Sequence, residues 1–293
     1  MKFFTDHYFQ IGQAHIGKGQ PCQDHALSRS GGQVACAIVS DGCSTGGNTD
    51  AGARIITFGT LQAIRDHAKA SGGELGTAPI SIGARQQQLI GISRPLLGLE
   101  SNDLYATCAY VYLGQKGGLF HVQGDGVIAC KYWDGAIVMR RYDWDNNTPF
   151  YPSYEGGDIP SFVKAHGGDP AALRLTESTV VRNAAGEYSE AATTRYTIEQ
   201  GIAGLSLEIP FDQLSQIEFL AVFSDGVTQI ENVDWRHAVA SFLDFKSKAG
   251  EFAKRRMISG IKEMQKLGKG PLDDISYAVV RLEADAAETE KTS

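Results

Sequence analysis

Two apolar runs in this chain stop on the same tripeptide. Val34-Ala35-Cys36-Ala37-Ile38-Val39 meets Ser40-Asp41-Gly42, and Phe219-Leu220-Ala221-Val222-Phe223 meets Ser224-Asp225-Gly226. A further carboxylate pair, Asp273-Asp274, stands before a third run, Ile275-Ser276-Tyr277-Ala278-Val279-Val280. Each run is short, rich in β-branched and aromatic residues and bounded by turn residues, which predicts a buried strand. An acid at the mouth of a core strand is costly to desolvate unless a positive charge neutralises it. Two strands ending in Asp and one beginning with Asp meet at one rim if the third runs antiparallel. Hard oxygen ligands with no cationic side chain in the same motifs point to Mg²⁺ or Mn²⁺.

The totals remove several alternatives. Lys and Arg number 27 against 34 Asp and Glu, a formal charge of −7, and no Lys/Arg run stands out, so nucleic acid is not an expected partner. An apolar share of 42% supports a sizeable core rather than disorder. Five cysteines, without C-x-x-C spacing and two of them inside apolar runs (Cys36 and Cys108), argue against a disulfide framework or a zinc site and for a reducing compartment. The first residues turn polar too soon for a signal peptide, and no stretch reaches membrane-spanning length. The expectation is a cytoplasmic protein with no membrane partner.

The order of elements is antiparallel strands with helical pairs inserted, which argues for α+β rather than a doubly wound sheet. Strands are expected at Tyr8 to His15 and His25 to Ser28, ahead of the Val34 run. A helix capped by Thr49 or Asp50 carries Ile55, Phe58, Leu61, Ile64 and Ala68 at helical spacing, and a second lies within Pro79 to Leu99, interrupted near Pro95. Further strands fall at Tyr105 to Leu113, Leu119 to Gln123 and Val127 to Trp133, with Asp134-Gly135 as a hairpin turn into Ala136 to Met139. Residues 143 to 216 show weak periodicity and are expected to form an irregular insertion in one domain covering 1–293. After the Phe219 strand come two helices, near Asp234 to Phe245 and Gly250 to Leu267. The tail after Glu283 is polar.

With these motifs in place, the pattern resembles the metal-dependent serine/threonine phosphatases of the type 2C class. Cys22-Gln23-Asp24, Val39-Ser40-Asp41-Gly42, Phe223-Ser224-Asp225-Gly226 and Asp273-Asp274-Ile275-Ser276 occur in the family's order, and Thr107 and Gly124-Asp125 look like its middle landmarks. The resemblance spans roughly residues 8 to 282 apart from the 143 to 216 stretch. It implies two antiparallel sheets packed as a sandwich between helical pairs. It also implies hydrolysis of phosphoserine or phosphothreonine in a protein substrate, by water activated at a centre of two Mn²⁺ or Mg²⁺ ions, with a cognate kinase supplying that substrate. By this resemblance Asp41 bridges the ions and Gly42 offers its carbonyl. Asp225 and Asp273 complete one ion's shell, Asp24 serves the second, and Asp125 matches an accessory third position. Asp274 replaces Asp273 if the register is shifted by one.

Departures are visible. Gln23 stands where many members have an acid, and Cys43 where animal members often have a histidine. No arginine precedes Asp24 to hold phosphate; the nearby cation is Lys18, and His15 and His25 are alternative proton donors. Lys18 and His15 are therefore the expected substrate-contacting residues.

Two rival functions follow from the same residues. Gly42-Cys43-Ser44-Thr45-Gly46 matches the G-x-S-x-G of a serine esterase, though Gly46-Gly47-Asn48 intervenes before the helix. The departures also suit a phosphatase-like binding or regulatory module with little catalysis. Asp143-Trp144-Asp145-Asn146-Asn147 begins like a calcium loop but lacks the glycine and glutamate such a loop needs.

Overall fold

The structure is a computed structural model that describes residues 1–154 and 159–284. Its strands are β1 (Lys2–Gln10), β2 (His25–Gly31), β3 (Val34–Ser40), β4 (Cys108–Gly114), β5 (Gly117–Gln123), β6 (Gly126–Tyr132), β7 (Ile137–Trp144), β8 (Leu175–Arg182), β9 (Tyr188–Tyr196), β10 (Leu205–Pro210), β11 (Ile217–Phe223) and β12 (Ile275–Glu283). The helices are α1 (Gln13–Lys18), α2 (Thr49–Ser71), α3 (Ala78–Leu97), α4 (Ile159–Ala165), α5 (Ile198–Gly201), α6 (Phe211–Leu214), α7 (Trp235–Phe242) and α8 (Phe252–Lys266). The strands form one sheet ordered β1-β12-β11-β6-β7-β8-β9 and a second ordered β10-β5-β4-β3-β2, with neighbours antiparallel throughout.

Side-chain alternation explains the layering. In β11, Leu220 and Val222 face inward, where they meet Val39, Val111 and Phe120 of the other sheet. Phe219, Ala221 and Phe223 face outward and are covered by Phe242, Phe252 and Met257 of α7 and α8. A strand buried on both faces reads as an unbroken apolar run because its period-2 faces are both dry. The second sheet turns Ile38, Tyr110 and Tyr112 outward against Ile56, Ile64, Ile82 and Ile90 of α2 and α3. The result is a sandwich of two antiparallel sheets flanked by helical pairs, as expected.

Several local expectations need correction. The first strand ends at Gln10, and His15 lies in α1. Gly12, still extended (φ −81°, ψ 163°), caps that helix and packs so closely on Asp273 that a Cβ there would lie 2.1 Å from the Asp273 carbonyl carbon. Pro95 sits in the last turn of α3, which continues past it to Leu97. The Asp134-Gly135 hairpin turn is present, with Gly135 at a positive φ of 90°.

The 143 to 216 stretch is more regular than its sequence suggests. β8 and β9 extend the larger sheet past β7, and β10 extends the smaller past β5. β9 is exposed from Ser189 to Arg195, so no buried face imposes an apolar alternation on it. Phe150, Phe162, Leu173 and Ile198 from this stretch join the central core rather than making one of their own. Most of the polar tail, from residue 285, lies outside the described residues.

Candidate active site

All the strand-end acids arrive at one end of the sandwich, and register explains how. His25 pairs with Ser40, which brings Asp24, just before β2, beside Asp41, just after β3. Phe223 pairs with both Val127 and Tyr277, which brings Asp225 level with Asp125 before β6 and with Asp273-Asp274 before β12. Asp41, Asp125, Asp225 and Asp273 line one cleft of about 190 Å³ together with Gly42, Cys43, Ser44, Thr45, Thr107, Asn147, Pro149, Tyr151 and Gln229. No Lys, Arg or His is among these described lining residues.

The backbone beneath the acids is held tightly. The Asp41 N–H donates to Thr107 Oγ1 (3.1 Å), the Thr107 N–H donates to the Asp41 carbonyl (2.8 Å), and Ser40 Oγ donates to the Thr107 carbonyl (2.6 Å). A Cβ on Gly42 would lie 2.8 Å from the Thr49 carbonyl oxygen and 2.9 Å from that of Gln23, so only glycine fits this approach. Gln229 Nε2 donates to Asp225 Oδ2 (2.7 Å), while Asp225 Oδ1 has no hydrogen-bond partner.

Asp24 is buried behind Asp41 and outside the cleft lining, and neither of its carboxylate oxygens has a hydrogen-bond partner in good geometry. Burial, opposed by the nearby Asp41 carboxyl and the Ser224 and Ser276 hydroxyls, pushes its carboxyl up to about 7. Burial, then repulsion from Asp24 and Asp225, raises Asp41 well above the ordinary carboxylate range. Burial, then Asp225 and Asp143, does the same to Asp125. Asp225 is raised by burial, with the Asp41 and Gln229 contacts opposing. Burial without a counter-cation thus favours the protonated form of Asp24, Asp41, Asp125 and Asp225, a usual mark of a functional cluster.

This donor set fits divalent cations of the Mg²⁺ or Mn²⁺ kind. It is made of oxygen, has no side-chain cation among the described residues of its lining (Arg141 nearby is paired with Asp143), and leaves oxygens of Asp24 and Asp225 without a partner. Asp273 and Asp274 play different parts. Asp273 faces the cleft and is partly exposed, whereas Asp274 is buried and accepts the N–H groups of Gly12 (2.7 Å) and Gln23 (2.5 Å).

The two expected substrate-contacting residues do not line the cleft. Lys18 is exposed at the end of α1, because the helix turns it to solvent. His15 is buried, its Nδ1 2.9 Å from Asp274 Oδ2 and its Nε2 3.4 Å from Ser44 Oγ, because one face of α1 packs inward. The calcium-like run has its acids in ion pairs, Asp143 with Arg141 and Asp145 with Arg195. α2 starts at Thr49, so Ser44 is not at a strand-to-helix elbow.

Sequence reasoning missed Gln229, whose signal was its place one turn after Asp225, and the Asn147-to-Tyr151 wall of the cleft. That wall is part of an aromatic group in which Tyr105 stacks on Tyr151 (5.7 Å) and lies 4.9 Å from Tyr154. Isolated aromatics in a Pro- and Gly-rich stretch carry no period to reveal this.

Comparison with known proteins points the same way. Residues 11–150 match the family model described as Protein phosphatase 2C. No curated protein matches the chain. The serine/threonine phosphatase Stp1 from Staphylococcus aureus superposes with a TM-score of 0.55 at 8% identity, over 97% of this chain and 96% of that one. A bacterial serine phosphatase gives 0.52 at 10% identity, over 97% and 99%. The phosphatase domain with a regulatory-domain fragment of SpoIIE from Bacillus subtilis gives 0.51 at 14% identity, over 97% of this chain and 63% of that one. The resemblance carried by the motifs and the family match agree, and the fold is that of these phosphatases.

Proposed function

We propose that this chain, similar to protein phosphatase 2C in its first half and in its fold, is a divalent-cation-dependent phosphatase. Its substrates would be phosphoserine and phosphothreonine in proteins, supplied by a cognate kinase. The observation that carries the reading is the gathering of Asp41, Asp125, Asp225 and Asp273 around one cleft with Asp24 behind them. Asp41, Asp225 and Asp273, the Gly42 carbonyl and Asp24 would hold two Mn²⁺ or Mg²⁺ ions, and Asp125 an accessory one. When bound, such ions offset the substrate's negative charge and lower the pKa of the attacking water toward neutrality.

The protein's own groups supply position. Asp41 lies within hydrogen-bonding reach of both Asp24 and Asp225, so its carboxylate is the centre of the cluster. Thr107 fixes its backbone, and Gln229 turns Asp225 so that Oδ1 stays free. Tyr151 and Pro149 wall one side of the cleft. No helix among the described residues is long and apolar enough to cross a membrane. All five cysteines are free, which fits a reducing, cytoplasmic setting.

One contact favours a second reading. Ser44 Oγ, His15 Nε2, His15 Nδ1 and Asp274 Oδ2 fall in the order of a serine-hydrolase relay, at 3.4 and 2.9 Å. Phosphate release from a phosphothreonine peptide with Mn²⁺, measured before and after EDTA, separates the two. The phosphatase reading requires release that chelation abolishes. Ester hydrolysis that survives EDTA and disappears in Ser44→Ala would overturn it.

A further inference from the structure

Behind the cleft wall lies a second cluster, of which the phosphatase reading uses Asp273 alone. His15 Nδ1 is 2.9 Å from Asp274 Oδ2 and 3.9 Å from Asp273 Oδ1, and donor atoms of all three residues lie within 4.8 Å of one another. The His15 side chain is 3% exposed, and its Nδ1 is buried with no aligned hydrogen-bond partner. A simple His–Asp ion pair explains this poorly. Both Asp274 oxygens already accept a backbone N–H, from Gly12 and Gln23, so the carboxylate does not depend on His15 for its partners.

The tautomer is accounted for from the other side of the ring. Nε2 lies 3.4 Å from Ser44 Oγ, so an N–H there can donate to the hydroxyl and leave the Nδ1 lone pair facing the two carboxylates. A ring nitrogen aimed at ligands while the other holds a hydrogen-bonding partner is the usual support of a metal-binding histidine. The separations suit it too. Bonds of about 2.1 Å to a six-coordinate ion place neighbouring donors about 3 Å apart and opposite donors about 4 Å apart. Each Asp274 oxygen has a second lone pair, so coordination need not break its backbone bonds. The Cys22 thiol lies beside the same carboxylate.

We infer that His15, Asp273 and Asp274 form a binding site for a transition-metal dication, distinct in chemistry from the all-oxygen cleft and joined to it through Asp273. Imidazole favours Co²⁺ or Zn²⁺, and tolerates Mn²⁺, over Mg²⁺, which prefers oxygen and keeps its waters. The site does not require that the chain be a phosphatase, because metal content can be read without turnover.

The test uses the full chain saturated with Mg²⁺ and then titrated with Co²⁺, followed by elemental analysis and visible absorption. Wild type should hold one more tightly bound Co²⁺ equivalent than His15→Ala, with at least a tenfold loss of affinity in the variant. Equal Co²⁺ content in the two proteins would overturn the site. If His15→Ala does not fold, pulsed EPR of Mn²⁺-loaded wild type and His15→Gln decides. Nitrogen coupling present in wild type and lost in the Gln variant supports the site; coupling absent from wild type, or unchanged by the substitution, refutes it.

Discussion

Ser40-Asp41-Gly42 and Ser224-Asp225-Gly226 are the same three residues at the ends of two buried strands, yet the fold holds them by different means. Asp41 is held from outside its own segment, its backbone N–H and carbonyl both engaged by Thr107 just before β4. Asp225 is held from within, by Gln229 at the end of the helical turn that it begins. The glycines differ as well. A Cβ on Gly42 would meet carbonyl oxygens at 2.8 and 2.9 Å, whereas one on Gly226 would lie 1.8 Å from the Asp274 carbonyl oxygen. A repeated tripeptide thus identifies two strand ends, while their supports come from wherever the topology brings a donor. The chemistry is convergent: both supports leave carboxylate oxygens facing one cleft.

The largest effect should come from the acid at the centre. Asp41→Asn should lower metal-dependent phosphate release roughly 10³-fold, about 4 kcal/mol in the barrier, with the circular dichroism spectrum unchanged. An Asp225→Asn variant of equal severity would show that the two strand ends contribute alike; near-normal turnover in Asp41→Asn would remove its central role.

The glycines should separate the two ends by stability. Gly226→Ala should cost about 3 kcal/mol in denaturant unfolding against about 1–2 for Gly42→Ala, since a backbone oxygen at 1.8 Å must move while those near 2.8 Å need give less. The reverse order would mean that the second strand end is the more adaptable.

The supports come next. Gln229→Ala should weaken metal affinity or turnover by about 10–100-fold, because it frees Asp225 to rotate. Thr107→Val removes one backbone partner and should cost about 1 kcal/mol of stability with a smaller effect on rate. Isothermal titration with Mn²⁺ reads the first and chemical denaturation the second.

The smallest effect is on pH dependence. Asp24, Asp41, Asp125 and Asp225 have folded-state carboxyls raised above their unfolded values, with Asp24 at about 7. Their stabilising contribution is therefore complete below the unfolded value near 4 and is lost as pH rises through the folded one. The metal-free chain should melt lower at about pH 8 than at about pH 5, by a few degrees, and saturating Mn²⁺ should shrink that difference. A metal-free chain that melts higher at the alkaline end would contradict this electrostatic account.

The amino-acid sequence by itself determined the buried strands, the helical pairs and which acids stand at strand ends, because these depend on short-range periodicity and on the cost of burying charge. It also carried enough ordered landmarks for the family resemblance. It was silent where a residue's role depends on a neighbour far along the chain. Asp274 could not be told from Asp273 until Gly12 and Gln23 were seen to claim its oxygens, across 262 and 251 positions. Lys18 and His15 looked equally placed to meet substrate, yet helix α1 sends one to solvent and buries the other against Asp274. The wall from Asn147 to Tyr151 had no period to betray it. Such assignments come only from tertiary structure, because hydrogen bonds and charges act over a few ångströms of space and take no account of distance along the chain.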